Sequence, residues 1–176
     1  MDYFIMSMDS RLSYYAPKLL KESPDISYLV RKRSVHFTNT RVVYVDDSRQ
    51  VEYPDFLDGE VKLVSEKLMR VLGMYQRDAI FNTVQLIERK NNRHETYYQI
   101  EVPEIQCRLP IPNQDMRNRA EDLVIDQEIV GFARVFIVSF YGKRLVVRLD
   151  VAESILRRDS YAVCFNRVSV VTKEEI

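Results

Sequence analysis

Residues 95–110 read ETYYQIEVPEIQCRLP, and the way polar and apolar positions alternate along them decides what kind of fold the chain can have. In an extended strand Thr96, Tyr98, Ile100 and Val102 share one face, while Tyr97, Gln99 and Glu101 share the other. That pattern predicts a half-buried strand whose polar positions face solvent. Beyond Pro103 the parity shifts by one: Ile105, Cys107 and Leu109 are apolar, and Glu104, Gln106 and Arg108 are polar. Such a shift needs a bulge or a break. Pro103 supplies it, because proline has no N–H to donate to a ladder. Upstream, AIFNTVQLIE (79–88) is rich in β-branched and aromatic residues, and KNNRH (90–94) is a turn-forming link. The two runs together predict an antiparallel hairpin.

Working outward, VKLVSEKLMRVLGMYQ (61–76) carries the clearest helix. Leu68, Val71, Leu72 and Tyr75 form one apolar stripe, with Met69 at its edge. Ser65 is placed to cap the N-terminus, Glu66 sits in the first turn and Gly73 marks the last. Tyr3 to Met8 predicts a first strand and Arg41 to Val45 another. Arg11 to Lys21 could hold a short helix, broken near Pro17 and finished by Pro24.

Toward the C-terminus, residues 110–131 read as irregular. ARVFIVSFY (133–141) is apolar on both faces and predicts a central strand. Gly142-Lys143 fits a two-residue hairpin loop. Leu145, Val147 and Leu149 are expected to point inward, with Arg144 and Arg148 outward. Asp150 and Glu153 have the spacing of a capping box, opening a short helix to Arg158 with Val151, Ile155 and Leu156 buried. Residues 161–171 predict a last strand. The expected fold is therefore α+β, a mainly antiparallel sheet with a few short helices. It forms a single domain over 1–176, in which 1–50 could be an N-terminal subregion.

The 26 basic and 26 acidic side chains cancel, which argues against a protein that coats nucleic acid. Cys107 and Cys164 stand far apart, and neither His36 nor His94 lies at metal-ligand spacing from them. Free thiols in a reducing cytoplasm are expected, with no metal and no cofactor. No basic segment leads into a long apolar run at the N-terminus, and no apolar run approaches ~18 residues, so neither export nor a membrane span is expected. With four glycines there is no glycine-rich phosphate loop, and no G-x-S-x-G or H-E-x-x-H occurs.

The residues that could carry chemistry all have a plainer reading. His94 beside Glu95 could be a general base but fits a solvated turn. His36 fits a hydrogen-bonded structural role. Asp150 and Glu153 fit helix capping. Tyr97 and Gln99 could read a base or a sugar but fit a strand surface. The Arg31–Arg33 run with Tyr28 and Phe37 could touch phosphates but fits a solvated loop.

One stretch is less ordinary. VDDSRQVEYPDFLDGE (45–60) holds six acids against one arginine, a formal charge near −5, interleaved with Tyr53 and Phe56. Read as an exposed loop, it would suit a partner with a basic cleft, since complementary charge steers encounter and aromatic anchors supply hot spots. The candidate partner-binding residues are Asp46, Asp47, Tyr53, Asp55, Phe56, Asp58 and Glu60.

Three passages resemble a bacterial family of polymorphic-toxin immunity proteins, the domain-of-unknown-function type first noted in myxobacteria. YPDFLDGEVKLVSEKLMRVLG resembles its acidic loop, short strand and S-E-x-hydrophobic helix. TYYQIEVPEIQCRL looks like its tyrosine-rich strand running into a second strand. FIVSFYGKRLVVRLDVAESILRR followed by AVCFNRV resembles its strand–strand–helix–strand ending. The likeness spans roughly residues 53–170. The chain has Gln99-Ile-Glu101 where the family often centres on an asparagine. It has Ser160-Tyr161-Ala162 where the family often has a glycine. The resemblance implies a cytoplasmic protein, not an enzyme, that binds and neutralises a cognate toxin domain. Two other readings stay open at this point: an enzyme or nucleic-acid-processing domain with a site around His94, Glu95 and Tyr97, and a secretion chaperone or adaptor.

Overall fold

The computed structural model describes residues 1–30, 38–106, 123–139 and 142–171. The fold is α+β. In chain order the elements begin with β1 (Tyr3–Met8), a single 3₁₀ turn (Ser10–Leu12), α1 (Ile26–Leu29), β2 (Arg41–Tyr44), β3 (Phe56–Asp58), β4 (Lys62–Val64) and α2 (Glu66–Tyr75). There follow β5 (Ile80–Glu88), β6 (Arg93–Glu101), β7 (Glu104–Ile105), β8 (Val124–Asp126), α3 (Gln127–Val130), β9 (Val135–Ser139), β10 (Lys143–Arg148), α4 (Leu149–Leu156), β11 (Val163–Arg167) and β12 (Ser169–Val171).

The strands form two five-stranded sheets and a small parallel pair, β12-β8. The first sheet runs β11-β1-β10-β9-β7 and the second β2-β5-β6-β4-β3. Residues 1–50 contribute a strand to each. The hairpin expected around residues 79–102 is present, with Val84 opposite Tyr97 and Asn82 opposite Gln99. At Pro103 the chain leaves the second sheet altogether, and β7 joins the edge of the first, parallel to β9. The parity shift thus marks a crossing between sheets, and the Pro103 carbonyl still accepts the Ile137 N–H at 2.8 Å.

Three apolar clusters hold these layers together. The first packs α2 and α4 with residues of both sheets: Phe56, Val64 and Ile100 from one, Met6, Leu145 and Val147 from the other. The second lies on the far side of β5 and β6, where Ala16 and Leu29 of the N-terminal segment meet Val43, Val84, Leu86 and Tyr97. The third covers the far side of the first sheet with Leu123, Ile125, Val130 and Val168. Helix α2 obeys its pattern: Leu68, Val71 and Leu72 are buried, and the Ser65 hydroxyl accepts the Leu68 N–H. The helix continues past Gly73 to Tyr75, and a Cβ at Gly73 would meet the Phe81 ring at 3.5 Å, an ordinary contact.

Several sequence expectations give way to tertiary packing. Arg11 to Lys21 forms no helix beyond the 3₁₀ turn; the segment runs irregularly across the second cluster. The 45–60 stretch is not all loop, since it contains β3. Residues 110–131 include β8 and α3 where they are described. Lys143 is already paired with Ser139, so it belongs to β10 rather than to a hairpin loop, and Gly142 just before it has φ +100°.

The capping box of α4 is not built. The residue before the helix is Arg148, and Asp150 instead holds the Arg148 guanidinium at 2.8 and 2.6 Å. That pairing keeps the Asp150 carboxyl below its usual range. Leu149 and Leu156 are exposed, while Ala152 and Ser154 join Val151 and Ile155 in the interior. The predicted last strand is two strands in different sheets, β11 and β12.

Ala162, in the segment where the resembling family often has glycine, sits at φ +59°. Left-handed backbone costs a non-glycine residue about 1 kcal/mol or more, partly offset by glycine's greater loss of freedom on folding. Ala162→Gly is therefore expected to raise stability by about 0.5 kcal/mol, read as a later urea midpoint at unchanged slope.

Candidate functional site

The acidic stretch is where the sequence placed a partner surface, and the structure spends most of it internally. Phe56, on β3, is 0% exposed and lies at the centre of the first cluster. Asp55 is buried as well. Its carboxylate accepts the Tyr161 N–H at 2.7 Å and faces the Lys67 ammonium at 3.3 Å, and its own N–H donates to the Tyr161 carbonyl. Asp58 pairs with the buried Lys62 ammonium at 2.7 Å, which also donates to the Gly59 carbonyl. Of the seven candidates, Phe56 and Asp55 are thus core groups, because β3 and β4 form a hairpin too short to show periodicity. Asp46 turns back on the Ser48 N–H, Asp47 accepts the Lys90 N–H at 2.6 Å, and both keep partial exposure. Glu60, at the hairpin tip, is exposed.

Tyr53 belongs to a network with the residues of the opening stretch. Its hydroxyl donates to Glu88 at 2.6 Å, and Asn91 donates to the other Glu88 oxygen at 2.6 Å. Glu88 is 2% exposed. The Arg93 guanidinium lies 4.5 Å from the centre of the Tyr53 ring and pairs with Glu95 at 2.9 Å. The Tyr97 hydroxyl donates to the Pro54 carbonyl at 2.5 Å. Burial, and for Tyr53 the hydrogen bond to Glu88, pushes both phenols above the ordinary tyrosine range. They are hydrogen-bond donors that tie residues 53–54 to the hairpin, rather than bases.

Tyr97 and Gln99 therefore face the second cluster, not solvent. Gln99 is buried and donates to the Leu29 carbonyl at 2.8 Å. Sequence parity could not anticipate this, because the covering segment at residues 13–30 shows no periodic signal of its own.

His94 lies on β6, opposite Ile87, rather than in a turn, and it is exposed. It lines neither of two large hollows among the described residues. The first, about 700 Å³, opens where β6 crosses to β7, beside Gln99, Lys62 and Pro103. The second, about 560 Å³, lies between the N-terminal segment and the β3–β4 hairpin. Among the described residues no group of three His, Cys, Asp or Glu could hold a metal, and no helix is long and apolar enough to cross a membrane. Cys164 is a free thiol. Cys107, His36, Phe37 and Arg31–Arg33 lie outside the described residues; Tyr28 stacks on the Arg41 guanidinium at 4.2 Å.

A different surface stands out, one that sequence reasoning missed. Phe132 is 99% exposed, with Ile129 at 51% and Met74 at 59%. Gly131, at φ +56°, ends α3 and turns Phe132 outward. The Gln76 side-chain oxygen accepts the N–H groups of Arg134 and Val135, which brings the end of α2, with Met74, to the start of β9. Arg134 lies over Tyr75 and reaches Asp150 at 3.8 Å. The residue types of this corner, Phe, Met, Ile and Arg, suit the centre of a protein interface. The sequence signal is an isolated G-F pair at the junction between the irregular stretch 110–131 and the apolar run that starts at Ala133. No family model matches the chain, and no curated protein matches it.

Proposed function

We propose that the protein acts in the cytoplasm as an immunity module, binding and neutralising a cognate toxin domain without catalysis. The resemblance over residues 53–170 suggests this role. The observation that carries it is Phe132, an aromatic side chain held almost wholly in solvent, with exposed Ile129 on the short helix before it and exposed Met74 near the end of α2 that Gln76 ties to β9. Burying such a side chain is worth about 1.5–3 kcal/mol, and an aromatic side chain left this exposed favours a protein partner that covers it. The partly exposed carboxylates of Asp46, Asp47 and Glu60 supply charge that would speed encounter with a basic toxin surface.

The test starts with tagged protein purified from its native cells. One partner at equal stoichiometry is expected, a domain that kills when expressed alone and is harmless when co-expressed. Phe132→Asp should abolish both capture and protection while leaving the melting temperature unchanged. Failure to find a toxic partner, or protection that survives Phe132→Asp, would overturn the proposal as stated.

A further inference from the structure

The 560 Å³ hollow is a half-open cleft with one wall from the N-terminal segment and the other from the β3–β4 hairpin. Its volume falls in the range of small-molecule sites, about 300–1,000 Å³. Ala16, Leu19 and Ile26 line the first wall, and Leu57, Val61 and Leu63 the second. Two cations, Lys18 and Lys21, also line the first wall, and both are exposed. Asp46 is close enough to feel the Lys18 charge, but neither lysine lies within ion-pair distance of an acid among the described residues. The opposite wall carries Glu60, exposed, and Asp58, whose carboxylate is already held by Lys62. An apolar trough lined on one wall by two lysines in no ion pair among the described residues, and on the other by an acid, asks for a ligand of matching polarity: an aliphatic body and an anionic head lying toward the lysines.

We infer that this cleft binds an amphipathic monocarboxylate with an unbranched aliphatic tail. The tail would lie against Leu57, Val61 and Leu63, and the head would rest between Lys18 and Lys21, on the side away from Glu60. None of these residues belongs to the Phe132 surface; Glu60 alone is shared with the carboxylates proposed to speed toxin encounter, and the test below does not alter it.

Decanoate, decanol and decylamine, which share a tail and differ in head, discriminate. Equilibrium dialysis with labelled decanoate and thermal shift with all three should rank decanoate first and decylamine last. Lys18→Glu with Lys21→Glu should weaken decanoate about tenfold, as expected for two partly exposed charges, and move decylamine to first place. Ser27→Trp, an exposed substitution at the mouth, should block all three without lowering the unliganded melting temperature. Equal ranking of decanoate and decylamine, indifference to the double lysine reversal, or undiminished binding in Ser27→Trp would each overturn the assignment.

Discussion

Phe56→Ala is expected to destabilise the protein by about 3–5 kcal/mol, the cost of emptying a large aromatic site in a packed interior. Phe56 reaches from β3 into the one cluster that contains side chains of both sheets and of both α2 and α4. Its neighbours Val64, Leu68, Ile100 and Val151 are all buried, so no single element can collapse into the hole. Against a typical total of about 5–15 kcal/mol, that loss is a large share of the fold's stability. Chemical denaturation would read it directly. The result also separates two views of residues 45–60. A solvent-facing anchor would leave the midpoint unmoved and weaken only partner binding. The core residue seen here should move the midpoint strongly. Phe132, the exposed counterpart, should behave in the opposite way.

Glu88→Ala should cost about 1–3 kcal/mol, from two charge-assisted hydrogen bonds lost and the half-buried Tyr53 hydroxyl left without its acceptor, the exposed Asn91 amide turning to water instead. The carboxylate accepts from the Tyr53 hydroxyl with one oxygen and from the Asn91 amide with the other, each at 2.6 Å, and Glu88 itself is 2% exposed. Glu88→Gln keeps one oxygen but turns an N–H₂ toward a donor, so an intermediate loss is expected. The double variant Glu88→Ala with Tyr53→Phe should recover part of the deficit, because it removes one stranded donor along with its acceptor. Equal midpoints for Glu88→Ala and the parent protein would show that the network contributes nothing.

How much of this was legible in the sequence depends on what each element packs against. Helix α2 is legible because its stripe at Leu68, Val71 and Leu72 matches the buried face, and Ser65 caps as its type predicts. The β5–β6 hairpin is legible because nine residues on each side carry strand-forming side chains. The break at Pro103 is legible from the proline, but its destination in another sheet is not, since two residues of β7 leave no pattern. Tyr97 and Gln99 mislead because polar atoms imply solvent only when nothing covers them. Here Pro54 and Leu29 supply carbonyl acceptors from distant parts of the chain. The outward position expected of Asp55 and Phe56 gives way for the same reason: an acidic, aromatic composition does not say whether the groups face outward. Phe132 is the converse case, an apolar residue that composition would place inside.

The crossing at Pro103 has a bearing on how the chain is made. The second sheet is drawn entirely from residues 41–101, but the first takes β1 from the start of the chain and pairs it with β10 and β11 near the end, Ile5 lying between Val146 and Asn166. A ribosome releases residues in order, so the second sheet can close while β1 still lacks both neighbours. The first sheet can form only once β10 and β11 have emerged. Such distant pairings are slow, because the intervening loop must be closed before any contact rewards it. Until then β1 offers two open edges, and its apolar run Tyr3-Phe-Ile-Met6 is open to wrong pairing.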